Sequence, residues 1–215
     1  MKRYVSVVTA AALVCVFVFN ARAEEEVKAG PYTVKLKQFA SPAGKFSVLV
    51  PTAPEWMPRD RFPYQIDDTV TGIFLQGPVG GEGAAVKIAV LHYAGTGKIK
   101  GVDHYVRMVG FNPTRTDGTF DTGLSDIEVA GRKGKTFTFP KFELVTLPHE
   151  PLPEPKPGLM VRWAPPSKQV EMIDRYIVIP AGKGFYSLRY EAPKAMYDEY
   201  AGVFDAVVKS FTCTE

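Results

Sequence analysis

The segment 185–211 constrains the fold most, because its apolar period changes once, from two to about 3.6 residues, across a single proline. Before the proline, alternation places Tyr186, Leu188 and Tyr190 on one face of a strand, which we expect to be the drier face. Pro193 suits the first turn of a helix, because its missing N–H is not needed there. The helix is expected to span about 194–210 and to pack an apolar stripe against the strand. That stripe consists of Met196, Tyr200, Val203, Phe204, Val207, Val208 and Phe211.

The first 23 residues have the pattern of a signal peptide. Lys2 and Arg3 precede an apolar run of about 16 residues, which ends near Ala21-Arg22-Ala23, a small-x-small cleavage pattern. A transmembrane helix needs about 20 apolar residues, so a retained anchor is the weaker alternative. We therefore expect residues 1–23 to be removed, and the mature chain, 24–215, to form a single α/β domain in the periplasm or outside the cell.

Cleavage would also balance the charge of the chain. The 26 basic residues exceed the 23 acidic ones only because Lys2, Arg3 and Arg22 lie in the signal segment. A net charge near zero gives no reason to expect nucleic acid or an anionic membrane surface as a partner. Cys213 would be the only cysteine in the mature chain, which excludes an internal disulfide and leaves open a disulfide between two chains.

Upstream of the segment 185–211, the sequence predicts the remainder of a sheet. Apolar alternation or short apolar runs between turn signals predict strands at 32–39, 46–50, 70–76, 84–92, 125–129, 135–139 and 171–179. Apolar residues at helical spacing predict a short helix at 102–109. The acidic start, 24–29, is expected to fray.

Two further segments are interpreted from their glycines and prolines. GPVGGEG, at 77–83, is expected to be a turn and not a phosphate-binding loop, because such a loop must open a helix and AAVKIAVLHY continues as a strand. The proline-interrupted segment 51–64 is expected to cover an edge of the sheet. Its large apolar side chains are Trp56, Met57, Phe62 and Tyr64.

Residues 140–166 are expected to form a long external loop. Prolines recur in this segment, most densely in PHEPLPEPKPG, and proline resists helices and central strands while favouring the polyproline II conformation. The segment also carries large apolar side chains, including Phe142 and Leu144, which a flexible linker would not need. They could dock on a partner or cover the domain's own sheet. The candidate partner-binding residues are Leu147, Leu152, Leu159, Met160 and Trp163.

No catalytic or cofactor-binding residue is predicted. His92, His104 and His149 fall on three separate segments, without a His-Glu-x-x-His motif or a cysteine pair for zinc. Neither Gly-x-Ser-x-Gly nor Ser-x-x-Lys occurs in the mature chain. The sequence therefore favours a protein without a recognisable reaction centre.

No metal site is predicted either. Asp117, Asp121 and Asp126 lie in a glycine-containing loop and carry the hard oxygen ligands that calcium prefers. Their spacing departs from the EF-hand pattern, so solvated turn residues are the preferred interpretation. A weak calcium site at these three positions is left open.

Three stretches, in their order along the chain, resemble the PsbP-like family, which includes photosystem-associated PsbP, Ran-binding Mog proteins and bacterial DcrB-type proteins. They are FSVLVP, VAGRKGKTFTF and GFYSLRYEAPKAMYDEYAGVFDAVVKSF, so the likeness spans 46–211. The resemblance implies an α+β fold, an antiparallel β-sheet flanked by helices, α/β/α in cross-section. Residues 140–166 would be an insertion. Members serve mainly as accessory or binding proteins with differing partners, and no binding residue of the family matches a position here.

Two functions are consistent with these patterns. The first is an exported, non-catalytic accessory or binding protein that holds a protein partner in the cell envelope. The second is a small secreted hydrolase or metal-dependent enzyme whose residues come together from distant positions. The lack of any catalytic motif favours the first, while the partner's identity, the oligomeric state and the physiological process are not determined by the sequence.

Overall fold

The computed structural model describes residues 24–42, 44–59, 69–110, 123–148 and 165–214. These residues form mostly antiparallel strands with two short helices, so the fold is a sheet-dominated α+β fold, as the sequence predicts. Within those ranges, no helix is both long and apolar enough to cross a membrane. The predicted signal peptide, 1–23, lies outside the described residues.

The strands form two sheets and are numbered along the chain. The smaller sheet has the order β1 (Glu24–Ala29), β2 (Tyr32–Ala40), β3 (Phe46–Pro51) and β11 (Thr212–Cys213). The main sheet has the order β4 (Met57–Pro58), β5 (Val70–Val79), β6 (Ala85–Tyr93), β10 (Gly184–Pro193), β9 (Ser167–Ala181), β8 (Arg132–Thr146) and β7 (Ser125–Val129). The two helices are α1 (Val102–Val109) and α2 (Tyr197–Ser210).

The larger core lies between the main sheet, α2 and the smaller sheet. Tyr186, Leu188 and Tyr190 of β10 are fully buried in it, as their alternation predicts. Phe204 of α2 stacks on Tyr190 with 5.5 Å between ring centroids, and Phe46 of β3 packs against Tyr186 at 5.9 Å. The predicted strand and helix therefore form the centre of this core, with the smaller sheet closing it.

The opposite face of β10 is also buried, so the expectation of a single dry face is wrong. Phe185 is fully buried in a second core, where it stacks on Tyr93 of β6 at 4.5 Å. Tyr105 of α1 belongs to the same core and accepts a hydrogen bond from the buried hydroxyl of Ser187, 2.9 Å away. Because α1 packs on this face and α2 on the other, alternation along β10 separates two cores and does not separate core from solvent.

The predicted helix at 194–210 begins with a separate turn. Residues Lys194–Met196 form one 3-10 turn, and α2 continues to Ser210, so the predicted end is confirmed. The expected fraying at the start of the mature chain is wrong, because Glu24–Ala29 pair with β2 in register from Glu24↔Lys37 to Ala29↔Tyr32. Backbone pairing thus outweighs the acidic composition of that segment.

The prediction of a loop at 140–166 is wrong at its start. Residues 140–146 belong to β8, which pairs with β9 without interruption from Lys135↔Val178 to Thr146↔Ser167. Pro140 is accommodated because, among the described strands, β8 pairs on its other side with β7 only as far as Thr136, and proline is tolerated on such an edge. Residues 149–164 of the predicted loop lie outside the described residues.

The edge next to β4 agrees with prediction in part. Trp56 is 1% exposed, and its ring lies where a Cβ at Gly77 of β5 would be, so this side chain covers the edge as expected. Met57 of β4 is exposed and pairs through its backbone with Gln76. Phe62 and Tyr64 lie outside the described residues.

Candidate binding surface

The long strands β8 and β9 extend past their neighbours as a two-stranded ribbon. In the described part of the chain, β10 pairs with β9 only as far as Met172, so residues 167–171 pair with 142–146 alone. The backbone N–H of Leu147 donates to the carbonyl oxygen of Pro166 at 2.8 Å and closes this end. We call residues 142–146 and 167–171 the outer ribbon.

One face of the outer ribbon carries two large apolar side chains that are exposed to solvent. Phe142 and Leu144 each keep 68% of their surface exposed, and both point to the same side because strand side chains alternate. The intervening residue Glu143 and the next residue Val145 point to the other side and are half-buried. Val145 packs there with Val170 and with other residues of a small cluster, Ala84 and Met172. The ribbon therefore has a packed face and an open face, on which Phe142 and Leu144 lie opposite Glu171 and Gln169 of β9.

The packed face is tied to the main sheet by ionic contacts. Lys141, just before the ribbon, places Nζ 2.8 Å from Glu191 Oε2 and 3.2 Å from Asp174 Oδ2. Glu143 accepts a hydrogen bond of 2.7 Å from Lys87 Nζ, which also donates to Glu191 Oε1 at 2.9 Å. These contacts join β8 to β6, β9 and β10, so they hold the start of the outer ribbon against the main sheet.

Arg189 lies at the centre of this ionic network. It donates through Nη2 to Asp174 Oδ2 at 2.8 Å and to Glu191 Oε2, and its guanidinium lies 5.2 Å from the ring centroid of Tyr176. The Tyr176 hydroxyl donates to Asp174 Oδ2 at 3.3 Å. Asp174 is fully buried, and the side chains of Glu191 and Arg189 are only 5% and 8% exposed. Such charges are tolerated in a core only when they are paired.

Burial and pairing act on each ionisable group of the network in opposite directions. Burial raises the pKa of Asp174 above its ordinary value, although Arg189 pulls it down. Burial would also raise the pKa of Glu191, but Arg189, Lys141 and Lys87 together hold it below its ordinary value. Burial would lower the pKa of Lys87, but Glu191 and Glu143 hold it above its ordinary value. The network thus holds Glu191 in its charged form despite its burial.

We expect Glu191 to make folding stability depend on acid pH. Because its folded pKa lies below the ordinary value of 4.5, its contribution is fully present above that pH and is lost as pH falls through the folded value. Glu191→Gln should therefore be less stable than the wild type near neutral pH, and the difference should shrink below about pH 4.5. Urea unfolding of both proteins across the pH range measures it. A difference that stays constant with pH would contradict this role.

The structure places only one of the predicted partner-binding residues. Leu147 is half-buried at the closed end of the outer ribbon. The other four, Leu152, Leu159, Met160 and Trp163, lie outside the described residues. Phe142 and Leu144 belong to the same predicted segment, but they lie on a strand and not in a loop.

Among the described residues, the histidines and aspartates considered in the sequence analysis do not come together. His92 is buried against Tyr186 on the α2 face, with ring centroids 5.0 Å apart, whereas His104 is exposed on α1 across the sheet. Asp126 of β7 pairs with Lys135 at 2.6 Å, and Asp117 and Asp121 lie outside the described residues. Across the described residues, no three histidine, cysteine, aspartate or glutamate side chains are grouped as metal ligands.

Comparison with known proteins gives distant structural similarity only. No protein-family model and no curated protein matches the sequence. The solution structure of cyanobacterial PsbP (CyanoP) from Synechocystis sp. PCC 6803 is 11% identical with a TM-score of 0.44, covering 83% of this chain and 92% of that one. LpqN, involved in cell envelope biogenesis of Mycobacterium tuberculosis, is 13% identical with a TM-score of 0.37, covering 89% and 91%.

A third similar structure comes from a longer protein. It is a crystal structure from Bacteroides thetaiotaomicron VPI-5482 at 1.50 Å resolution, 12% identical with a TM-score of 0.41 and covering 83% of this chain. This chain spans about half of that protein, 48% of its length. One of these distantly similar solved structures is thus a PsbP protein, from the family that the sequence resembles.

Proposed function

We propose that this chain is an exported, non-catalytic accessory protein that holds a protein partner in the cell envelope through the open face of its outer ribbon. The observation that carries the proposal is the pair Phe142 and Leu144, each 68% exposed on one face of a two-stranded element. Single exposed apolar residues are common, but here an aromatic and an aliphatic side chain occupy alternate positions on the same face of one strand. Such anchors supply most of the affinity of protein interfaces.

The rigidity of the outer ribbon supports the same proposal. Lys141 and Glu143, which alternate with the exposed pair, are held by Glu191, Asp174 and Lys87 on the packed face. A partner that docks on Phe142 and Leu144 would therefore lose little affinity to the ordering of the backbone. We include in the proposed surface Leu147, Leu152, Leu159, Met160 and Trp163, because this segment leaves and re-enters the fold at the end of the ribbon.

We expect the variant Phe142→Thr/Leu144→Thr to lose its partner without losing stability. Threonine keeps strand propensity, and both side chains are mostly in solvent, so the free energy of unfolding should change by less than about 1 kcal/mol. Crosslinking from the native cell envelope, followed by mass spectrometry, should show capture reduced by about tenfold or more. Wild-type capture by the variant would contradict the proposal.

The matched control for this experiment is Leu124→Thr. Leu124 is also exposed, at 48%, but it precedes β7 and lies outside the outer ribbon. It should leave both stability and partner capture unchanged. If the double variant unfolds at clearly lower urea concentration than this control, Phe142 and Leu144 are part of the fold and not a docking surface.

Export is the second element of the proposal and has its own test. The mature chain is expected to begin at Glu24, after the small-x-small pattern at Ala21–Ala23. Intact mass of the protein recovered from the cell envelope should equal that of residues 24–215. A mass that retains residues 1–23, or a lipid on Cys15, would contradict it.

A further inference from the structure

One edge of β8 lies unpaired for most of its length among the described residues. β7 pairs with β8 only from Val129↔Arg132 to Ser125↔Thr136, whereas β8 continues to Thr146 and stays paired with β9 on its other side. We call the backbone of 137–146 on the β7 side the open edge. A long edge of this kind presents unused N–H and C=O groups, so it can pair with a strand of another chain.

The backbone groups that face the open edge belong to alternate residues of β8. The turn at 130–131 has two residues, so Arg132 and every second residue after it direct their N–H and C=O groups toward β7. Leu147 supports this alternation, because its N–H donates the other way, to the segment that enters β9, at 2.8 Å. Phe142 and Leu144 therefore direct both backbone groups outward, where an antiparallel strand can bond to them.

The open edge is complementary to itself in one antiparallel register. When Phe142 lies opposite Phe142 of a second copy, Lys141 lies opposite Glu143 of that copy, and Glu143 lies opposite its Lys141. A shift by two residues in either direction keeps the backbone groups facing each other, but it places Lys141 against Lys141 or Glu143 against Glu143. A register centred on Pro140 would bring together two residues that have no N–H.

We propose that the open edge of β8 pairs with the same edge of a second copy, antiparallel and centred on Phe142. The two main sheets then form one continuous sheet around a two-fold axis. The two Phe142 rings become cross-strand neighbours at that axis, and each Leu144 lies opposite Pro140 of the second copy. Burial of these side chains against each other supplies an apolar contribution that backbone pairing alone lacks.

The charges of the strand support the same register. Lys141 Nζ lies 2.8 Å from Glu191, and Glu143 accepts a hydrogen bond of 2.7 Å from Lys87, so both side chains are already held on the packed face. Opposite residues of paired strands share a face, so Lys141 of each copy would lie on the same side as Glu143 of the other. Pairing therefore joins the ionic networks of the two copies without breaking either.

Pairing through the edge leaves the open face of the outer ribbon available to another protein. Strand side chains stand roughly perpendicular to the sheet, so Phe142 and Leu144 stay on that face in the dimer. The dimer places two copies of this exposed pair side by side. The inference goes beyond the proposed function and does not rest on it, because the dimer should form from the purified chain alone.

The molar mass of the purified mature protein tests the inference. Sedimentation equilibrium is measured over a range of protein concentrations, with a reductant present so that Cys213 cannot link two chains. The interface is one strand pair, so we expect the mass to rise from one chain to two with a dissociation constant in roughly the micromolar range. Wild-type protein that stays monomeric up to about 1 mM would overturn the inference and leave the edge to a strand of another protein.

Charged substitutions at residue 142 test the register. Phe142 is 68% exposed, so Phe142→Lys and Phe142→Glu should both fold. Each variant alone should dimerise about tenfold more weakly than the wild type or worse, because it loses the ring pair and places like charges at the two-fold axis. An equal mixture at low salt should dimerise several-fold more tightly than either variant, because only this register places residue 142 beside itself.

Tyr32→Lys is the matched control, because Tyr32 is also an exposed ring, at 56%, but lies in the smaller sheet. It should dimerise like the wild type. Single variants at residue 142 that dimerise like the wild type, or a mixture no tighter than its components, would overturn the inference. A wild-type dimer that captures no envelope protein would support this inference and contradict the proposed function. A monomer that captures one would do the reverse.

Discussion

Replacing Phe204 by alanine is expected to lower the free energy of unfolding by about 3–5 kcal/mol. Phe204 is fully buried in the larger core, stacks on Tyr190 at 5.5 Å, and lies under the guanidinium of Arg175 at 5.4 Å. Its removal would leave a cavity between α2 and the main sheet. The second core packs on the opposite face of the sheet, so the sheet cannot easily move toward α2 to fill that cavity. Urea titration of the mature protein measures the loss.

Asp198→Ala is the matched control for Phe204→Ala. Asp198 lies in the first turn of the same helix and is exposed, so its loss removes only a favourable interaction with the helix dipole. The cost should stay below about 1 kcal/mol. If both substitutions cost the same small amount, α2 does not pack through the stripe that contains Phe204.

The strand and helix at the end of the chain could be predicted because their signals are local. Alternation at Tyr186, Leu188 and Tyr190 and helical spacing from Tyr200 to Phe211 each follow from the geometry of one element. The same rule predicted that the opposite face of this strand is wetter, and this prediction is wrong. A strand with both faces buried differs from a half-buried strand only through what the rest of the chain places on the second face, here α1 and the neighbouring strands.

The ionic network could not be predicted, because its members become neighbours only through strand register. Asp174, Arg189 and Glu191 look like ordinary surface residues in sequence, and Lys87 and Lys141 come from strands far away along the chain. The pairing of β9 with β10 places Asp174 opposite Glu191 and Arg189 opposite Tyr176. The pairings of β10 with β6 and of β9 with β8 then bring in Lys87 and Lys141. The sequence shows that Ser187, Arg189 and Glu191 share one face of the strand. It does not show that this face is buried, so it gives no reason to expect an ionic network there.

The first strand of the outer ribbon was predicted to be part of a loop, because prolines disfavour helices and central strands. The sequence analysis noted that a flexible linker would not need Phe142 and Leu144. Their alternation with Lys141, Glu143 and Val145 is a strand pattern, but Pro140 argued against a strand at this position. The position of Pro140 on a strand with an open edge resolves the conflict. The rule that proline is excluded from strands therefore failed at Pro140, because this part of β8 has an open edge.

Arg189→Met is expected to cost about 3–5 kcal/mol, because removing one partner of a buried ionic network leaves the others uncompensated. Methionine fills most of the volume of the side chain, so the loss reports charge and not a cavity. Asp174 is fully buried and would then depend on Lys141, whose Nζ is 3.2 Å away. Lys194→Met is the matched control, since Lys194 and Glu171 form an exposed pair at 2.9 Å that should contribute less than about 1 kcal/mol.

The pH dependence of the Arg189→Met variant separates lost charge from lost packing. Without the guanidinium, the pKa of the Asp174 carboxyl, which burial already raises, should rise further, so the variant should regain stability relative to the wild type as pH is lowered and Asp174 takes up a proton. Urea titrations near neutral and at mildly acid pH measure this. A loss no larger than that of Lys194→Met would mean that Lys141 and Lys87 alone hold the buried carboxylates. A loss that is large at every pH would assign the role of Arg189 to its contact with the Tyr176 ring, 5.2 Å away.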